Sequence, residues 1–214
     1  TLDYQGYTVN TTGVTKIDSS KDLIYTWVTK ESTVENRYEL NLNIPKVNIS
    51  NTSVEKLNNK IKETYVNKAN DIILHANNNT IYTVEYMSYV NTNILSLVIK
   101  STLKEGNNPQ RVIIQTYNYN LSTNEEMTLN QMLEIKGLQA NTAKNTVLEK
   151  VKIANEQAEN LRKLGYNVYL RDLTSDIYEM ENTTNFIMGA NNYLYLIYPY
   201  GNNNFTDEID VVVF

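Results

Sequence analysis

The sequence predicts an α+β fold of two lobes, each with helices packed on a mostly antiparallel sheet. Three observations carry this expectation. Tyr38 to Ile44 alternates strictly, with Tyr38, Leu40, Leu42 and Ile44 on one face and polar residues on the other. That period of two marks a half-buried strand. From Val54 to Ala76 apolar residues recur at steps of three and four, as on one face of a helix. The second half then mixes two helical stretches with a hairpin pattern and a terminal strand. At 41% apolar residues, the 214-residue chain can bury one compact core or two small lobes sharing one. The expected division is a tether with a first short strand over 1–20, an N-terminal lobe over 21–125 and a C-terminal lobe over 126–214.

The elements follow in order. Asp22 to Thr29 reads as a strand, with Leu23, Tyr25 and Trp27 opposed to Ile24 and Val28. The alternating strand follows, and Pro45 is expected to close it. Thr52 and Glu55 have capping-box spacing, so the long helix should begin there. Asn77, Asn78 and Asn79 end it. Three sheet-type runs come next, over 81–90, 94–102 and 111–121. The middle one is almost continuously apolar, as in a central strand covered on both faces. The short links Asn91 to Asn93 and Gly106 to Pro109 favour antiparallel neighbours.

Thr128 and Gln131 form a second capping box, and Met127 and Met132 stand at the positions of a hydrophobic staple. This helix is short and should stop by Gly137. A longer one begins at Asn141 or Thr142, carries Val147, Val151, Ala154, Ala158 and Leu161, and ends at Gly165 in a left-handed cap. The runs 185–188 and 193–198 flank a hairpin loop from Gly189 to Asn192. Glu208 to Phe214 reads as a terminal strand.

Composition excludes several function classes. Acidic residues exceed basic ones by 24 to 19, a net charge of −5. General nucleic-acid binding and polybasic membrane attachment both need the opposite sign. There is no cysteine, so disulfides, thiolate nucleophiles and zinc–cysteine sites are absent. His75 is the single histidine. No apolar run approaches the roughly 20 residues that span a bilayer. No phosphate loop, dinucleotide fingerprint, His-Glu-x-x-His or Gly-x-Ser-x-Gly occurs. No cofactor and no metal are expected. Asparagine makes up roughly 15% of residues, far above ordinary usage. AT-rich codon usage accounts for that; a polar, aromatic-studded surface for sugar or protein recognition is the functional alternative.

The segment YNYNLSTNEEMTLNQML, from Tyr117 to Leu133, resembles the strand–turn–helix junction of a bacterial extracytoplasmic family. Members include the lysozyme-sensing ectodomain of RsiV-type anti-sigma factors and the accessory domain of PdaC-type peptidoglycan deacetylases; many others are domains of unknown function. Glu39 to Pro45 with the following helix is similar to the opening of the accessory half. Asn185 to Val213, with Tyr198 to Gly201 as Tyr-Pro-Tyr-Gly, is similar to the closing hairpin and Pro-Tyr loop. The resemblance spans about 170 residues in order. The family often has a longer aromatic–proline stretch before its Pro-Tyr, whereas here an asparagine run, Asn202 to Asn204, fills the loop. It implies a non-catalytic, monomeric binding or sensing domain of a Gram-positive envelope. The domain would be secreted or anchored through a segment upstream of Thr1. The implied partner is a protein such as lysozyme, or peptidoglycan glycan.

Candidate chemistry is sparse. His75, near a helix C-terminus, is expected to interact with the helix dipole rather than to catalyse. Asp172, Asp176, Glu179 and Glu181 form one acidic cluster, and Asp207, Glu208 and Asp210 another. Neither has a calcium-loop pattern, and a solvated acidic face is expected of both. A carboxylate-dependent wall hydrolase, or an accessory to a hydrolase or deacetylase, is the alternative to a binding domain. Glu125 and Glu126 read as turn residues serving solubility. Three Tyr-x-Tyr pairs, 117/119, 193/195 and 198/200, put both rings on one strand face. Sheet packing explains them, and a recognition platform is the functional reading. Pro199 and Gly201 mark a loop, so Tyr198 and Tyr200 are expected to be exposed, and partner contact is expected at Tyr198, Pro199, Tyr200, Gly201 and Asn203.

Overall fold

The computed structural model describes residues 13–214. Part of the expected tether, 1–12, lies outside them. Residues 13–23 contain no strand; they run along the sheet as an irregular segment. Asn48, wholly buried, holds that segment: Asp18 N–H donates to its Oδ1 at 2.9 Å, and its Nδ2 donates to the carbonyl of Asp18 at 2.8 Å.

A six-stranded sheet has the order β1 (Ile24–Val34), β2 (Tyr38–Val47), β3 (Thr80–Asn91), β4 (Ile94–Lys104), β5 (Arg111–Asn120), β6 (Glu125–Glu126). Strands β3 to β5 form the antiparallel meander that their short links predict. The exception to antiparallel pairing is β2 with β3, which run parallel because the long helix α1 (Thr52–His75) connects them. Strand β2 continues through Pro45 to Val47, against expectation. Its pairing with β3 covers only Tyr38 to Leu42, and a register shift in β1 between Thr26 and Val28 lies beside the proline. No ladder bond from residue 45 is needed there. Where β3 no longer pairs, the buried Asn58 side chain of α1 takes over: Val47 N–H donates to its Oδ1 and its Nδ2 donates to the Val47 carbonyl, both at 2.8 Å. Glu125 and Glu126 form the short edge strand β6, not only a turn.

Helix α1 starts one residue earlier in its cap than its Thr-x-x-Glu spacing suggests. Asn51 is the N-cap, its side chain accepting from Ser53 N–H at 2.8 Å. The stripe Val54, Ile61, Tyr65, Ala69 and Ile72 is buried against Leu40, Leu42, Ile44, Leu97 and Ile99. Each buried valine, leucine and isoleucine among them contributes roughly 1.5–3 kcal/mol by leaving water. His75 sits in the last turn, where its Nδ1 lies 2.9 Å from Asp71. The open carbonyls at that end are served instead by Arg37, whose Nη2 and Nε donate to Ile73 and Ala76.

Helix α2 (Leu129–Ile135) has the expected capping box, with Thr128 N–H donating to Gln131 Oε1 at 2.8 Å and Gln131 N–H to Thr128 Oγ1 at 3.3 Å. Met127 and Met132 are both buried. Helix α3 (Ala140–Lys163) starts just before the expected residues and has no side-chain cap. Gly165 follows it with φ +91°, the expected left-handed stop. Leu161 is exposed, so the buried stripe ends at Ala158.

A three-stranded antiparallel sheet, β7 (Phe186–Met188), β8 (Leu194–Pro199) and β9 (Ile209–Val213), lies between α3 and the large sheet. One of its faces packs Leu194, Leu196 and Val212 with Val147 and Val151 of α3. The other packs Ile187 and Ile197 against Val98, Val112 and Ile114. Strand β4 is therefore covered on both faces, as its apolar run predicts. Polar side chains stitch β7 to the face of the large sheet. Met188 N–H donates to Ser96 Oγ at 3.0 Å, Asn118 Nδ2 to the Phe186 carbonyl at 2.7 Å, and Asn91 Nδ2 to the Gly189 carbonyl at 2.6 Å. Ser96 Oγ in turn donates to Asn118 Oδ1 at 2.6 Å.

Asparagines also occupy turn positions with positive φ: Asn36, Asn79, Asn124, Asn191 and Asn192. Asparagine tolerates that region better than other non-glycine residues. Thr92, β-branched and exposed, has φ +53° in the β3–β4 turn. Thr92→Asn is expected to raise stability by about 0.5–1 kcal/mol, read as a higher denaturant midpoint at unchanged slope.

Candidate functional site

Two surface features built from the same turn define the site. Strand β8 runs into the turn Tyr200–Asn202, and the chain returns through Phe205 to β9. Arg111, at the start of β5, fixes the turn: Nε donates to the Gly201 carbonyl at 2.9 Å and Nη2 to that of Asn202 at 3.0 Å. Gly201 is buried against β5. A Cβ there would lie 2.3 Å from the Val112 carbonyl oxygen and 2.6 Å from that of Thr206. Glycine is required by this backbone approach, not by contact with a partner.

The expected exposure of Tyr198 and Tyr200 is wrong. They are 5% and 4% exposed. Both belong to the inner face of β8 and its extension, and both hydroxyls are used inside the domain. Tyr200 donates to Asp210 Oδ2 at 2.7 Å, so Tyr178, 2.7 Å away, donates to Tyr200. Tyr198 lies 2.9 Å from Thr183 Oγ1, which itself donates to the Glu179 carbonyl. Tyr169 stacks on the Tyr200 ring at 4.8 Å. Tyr200→Ala would therefore destabilise the fold. In this turn Asn202 to Phe205 are exposed, Asn203 among them, and Pro199 is half-buried.

Under the tyrosines lies a charge cluster whose arginine does not stand out in the sequence. Arg171 is nearly wholly buried, its side chain 4% exposed. Its Nε and Nη2 donate to both oxygens of Asp210 at 2.9 and 2.8 Å, and Nη2 also to Glu208 at 2.7 Å. Donation to Asp210 holds its pKa well above the usual arginine value, against a desolvation cost. The acids of the second cluster are thus not one solvated face: the Asp210 side chain is 13% exposed and paired. In the first cluster Glu179 pairs with Lys144 at 2.6 Å and Asp172 accepts from Thr174. Among the described residues no group of three His, Asp or Glu side chains is placed to hold a metal.

Above this network opens a cleft of about 250 Å³. Tyr169, Tyr198 and Tyr200 contribute its aromatic wall, and Asn182, Asn185, Asn202, Asn203 and Asn204 its amides. Pro199, Thr183 and Ser175 complete much of the rest. Asn185 is 7% exposed, yet its amide makes only a 3.5 Å contact to Thr184 Oγ1. The side chains of Asn203 and Asn204 make no hydrogen bond within the described residues. Of the residues expected to meet a partner, Tyr198, Pro199, Tyr200 and Asn203 line this cleft, and Gly201 does not.

Burial raises the phenol pKa of Tyr178 and Tyr198 to about 12 each, and raises those of Tyr65, Tyr82 and Tyr200 further. A phenol whose folded pKa exceeds its unfolded value stabilises the fold fully below about pH 10 and loses that contribution as pH rises through the folded value. Stability should hold to about pH 10 and fall steeply between pH 10 and 12, followed by denaturant midpoints across that range.

No family model matches the sequence, and no curated protein matches it. The fold is similar to solved structures. A DUF3298 family protein from Pseudomonas aeruginosa PAO1 aligns with a TM-score of 0.51 at 9% identity, over 90% of each chain. A DUF3298 family member from Bacteroides fragilis NCTC 9343 aligns at 0.42 and 13% identity, over 95% of this chain and 90% of that one. The first likeness shows the fold, that of a domain of unknown function. No helix among the described residues is long and apolar enough to cross a membrane.

Proposed function

We propose that this chain is a non-catalytic binding domain of a bacterial cell envelope, with the cleft at the Tyr198–Asn204 turn as its contact point. The observation that carries this reading is the set of uncommitted amides. Asn185, Asn203 and Asn204 each offer two donors and an acceptor to the cleft and spend almost none of them internally. Among the described residues the lining includes no carboxylate, imidazole or amine, the groups that general acid–base work near neutral pH would use. An uncharged ligand dense in hydroxyl and amide groups fits such a wall, and the glycan of a cell wall has that chemistry. The sequence resemblance to RsiV-type ectodomains and PdaC-type accessory domains supports an extracytoplasmic setting.

A protein partner is the second reading. It is favoured by the exposure of Asn203, Asn204 and Phe205 on one turn, and by the net charge of −5. That charge would steer a basic protein such as lysozyme. One pair of assays separates the readings: co-sedimentation with insoluble peptidoglycan, and size-exclusion chromatography of a mixture with lysozyme. The double substitution Asn203→Ala, Asn204→Ala should weaken the productive assay by about tenfold or more, since each lost hydrogen bond is worth about 1 kcal/mol. Its melting temperature should be unchanged because both side chains are solvated. Absence of binding in both assays, or binding indifferent to the double substitution, would rule the proposal out.

A further inference from the structure

A second cavity, of about 220 Å³, opens on the opposite face of the large sheet. It arises from coverage. A helix is about 10 Å across and strands lie about 4.8 Å apart, so α1 covers roughly two strands fully, and its closest backbone packing is on β2 and β3. Farther along, the helix covers Ile99 of β4 and reaches Gln115 of β5 through Tyr65, but beside its first turns the inner faces of β4 and β5 at Leu95, Tyr117 and Tyr119 lie past its edge. Leu95 pairs with Tyr119 and Leu97 with Tyr117 across these strands, and the four form the floor of the cavity. Val54 and Leu57 of α1 form one wall, while Glu125 and Glu126 of β6 stand at the mouth.

We infer that this cavity binds a small amphipathic cation: a single ring or branched alkyl group carrying an ammonium. Size sets the apolar part, since dry cavities of about 150 Å³ already admit benzene. Charge sets the polar part. Among the described residues two carboxylates line the entrance and no lysine or arginine does. Both carboxylates lie close enough to the aromatic floor to act on it: after burial, the charge of Glu126 pushes the Tyr117 phenol up, and that of Glu125 the Tyr119 phenol. The first turn of α1 also lines the cavity, but its N-terminal dipole amounts to roughly half a charge against two full ones. The Tyr117 hydroxyl, half-buried, makes no hydrogen bond among the described residues and faces the cavity. This site is independent of the asparagine-lined cleft.

The test uses three probes of one shape on the intact chain: 2-phenylethylamine, 2-phenylethanol and 3-phenylpropionate. Titrations followed by methyl shifts of Leu95 and Leu97 should rank them cation, neutral, anion, with the amine about three- to thirtyfold tighter than the alcohol, as for two partly exposed ion pairs. The double substitution Glu125→Gln, Glu126→Gln, at exposed positions, should remove the preference while the alcohol still binds. Ser53→Trp, also at an exposed position on the rim, should block all three probes. Equal affinity for amine and alcohol, no shift at Leu95 and Leu97 with any probe, or binding untouched by Ser53→Trp would overturn the inference.

Discussion

Arg171→Leu should cost about 3–5 kcal/mol of folding stability and lower the melting temperature by roughly 10 °C or more. The arginine is the counter-charge of Asp210, which is almost out of solvent and also accepts from Tyr200. Removing it leaves a buried carboxylate facing the Tyr178 and Tyr200 hydroxyls with nothing to balance its charge. Glu208 is 43% exposed and adds little. Arg171→Lys should recover only part of the loss, because one ammonium cannot match the planar fork that grips both oxygens of Asp210. Arg171→Leu combined with Asp210→Leu should be more stable than Arg171→Leu alone, since the second change removes the orphaned charge. Equilibrium unfolding of the three variants decides this. A loss under 1 kcal/mol for the first would mean that water reaches Asp210 and solvates it.

Asn118→Ala should be almost as damaging, at about 2–4 kcal/mol. Its amide bridges Ser96 Oγ and the Phe186 carbonyl in a region where Ser96 is wholly buried and Asn118 3% exposed. The substitution leaves a strand carbonyl without its donor and the Ser96 O–H without its acceptor in a dry interface. Ser96→Ala combined with Asn118→Ala should show non-additivity, because the first change already breaks part of the same network. Hydrogen exchange should localise the damage: the Met188 amide, which donates to Ser96 Oγ, should lose protection before those of β3.

The order of elements was legible because periodicity reports which face of a strand or helix is buried. The alternation at Tyr38 to Ile44, the α1 stripe and the unbroken apolar run of β4 all have that origin. What stayed hidden depends on contacts far apart in the chain. Tyr198 and Tyr200 look like loop residues beside Pro199 and Gly201, yet the turn is pinned by Arg111, some 90 residues earlier, and folds their rings inward. Arg171 meets Asp210 across 39 residues, and nothing local marks the pair. A signal for it existed nonetheless. Lysine supplies most of the 19 basic residues, and Arg37, Arg111 and Arg171 each grip at least two acceptors with one guanidinium. In a chain that otherwise uses lysine, three of the four arginines mark places where the fork is needed; Arg162, exposed in the last turn of α3, is the exception. The asparagine excess likewise splits by physics: Asn48, Asn58, Asn91 and Asn118 are buried clamps, five others sit at positive φ, and the Asn203 and Asn204 side chains at the cleft make no hydrogen bond among the described residues.

The side-chain stitches between β7 and the large sheet also set an order of events in time. Asn91 and Gly189 are 98 residues apart, and Ser96 and Met188 are 92 apart. Strand β7 is three residues long and gains its outer hydrogen bonds from side chains that only a formed β3–β5 meander holds in line. Local hairpins close in microseconds, whereas contacts across such separations wait on loop closure. On a ribosome the first half emerges before the residues that will dock on it exist. The large sheet should therefore become protected first, with its β4 outer face open to water, and the small sheet should condense onto it as a second, slower phase.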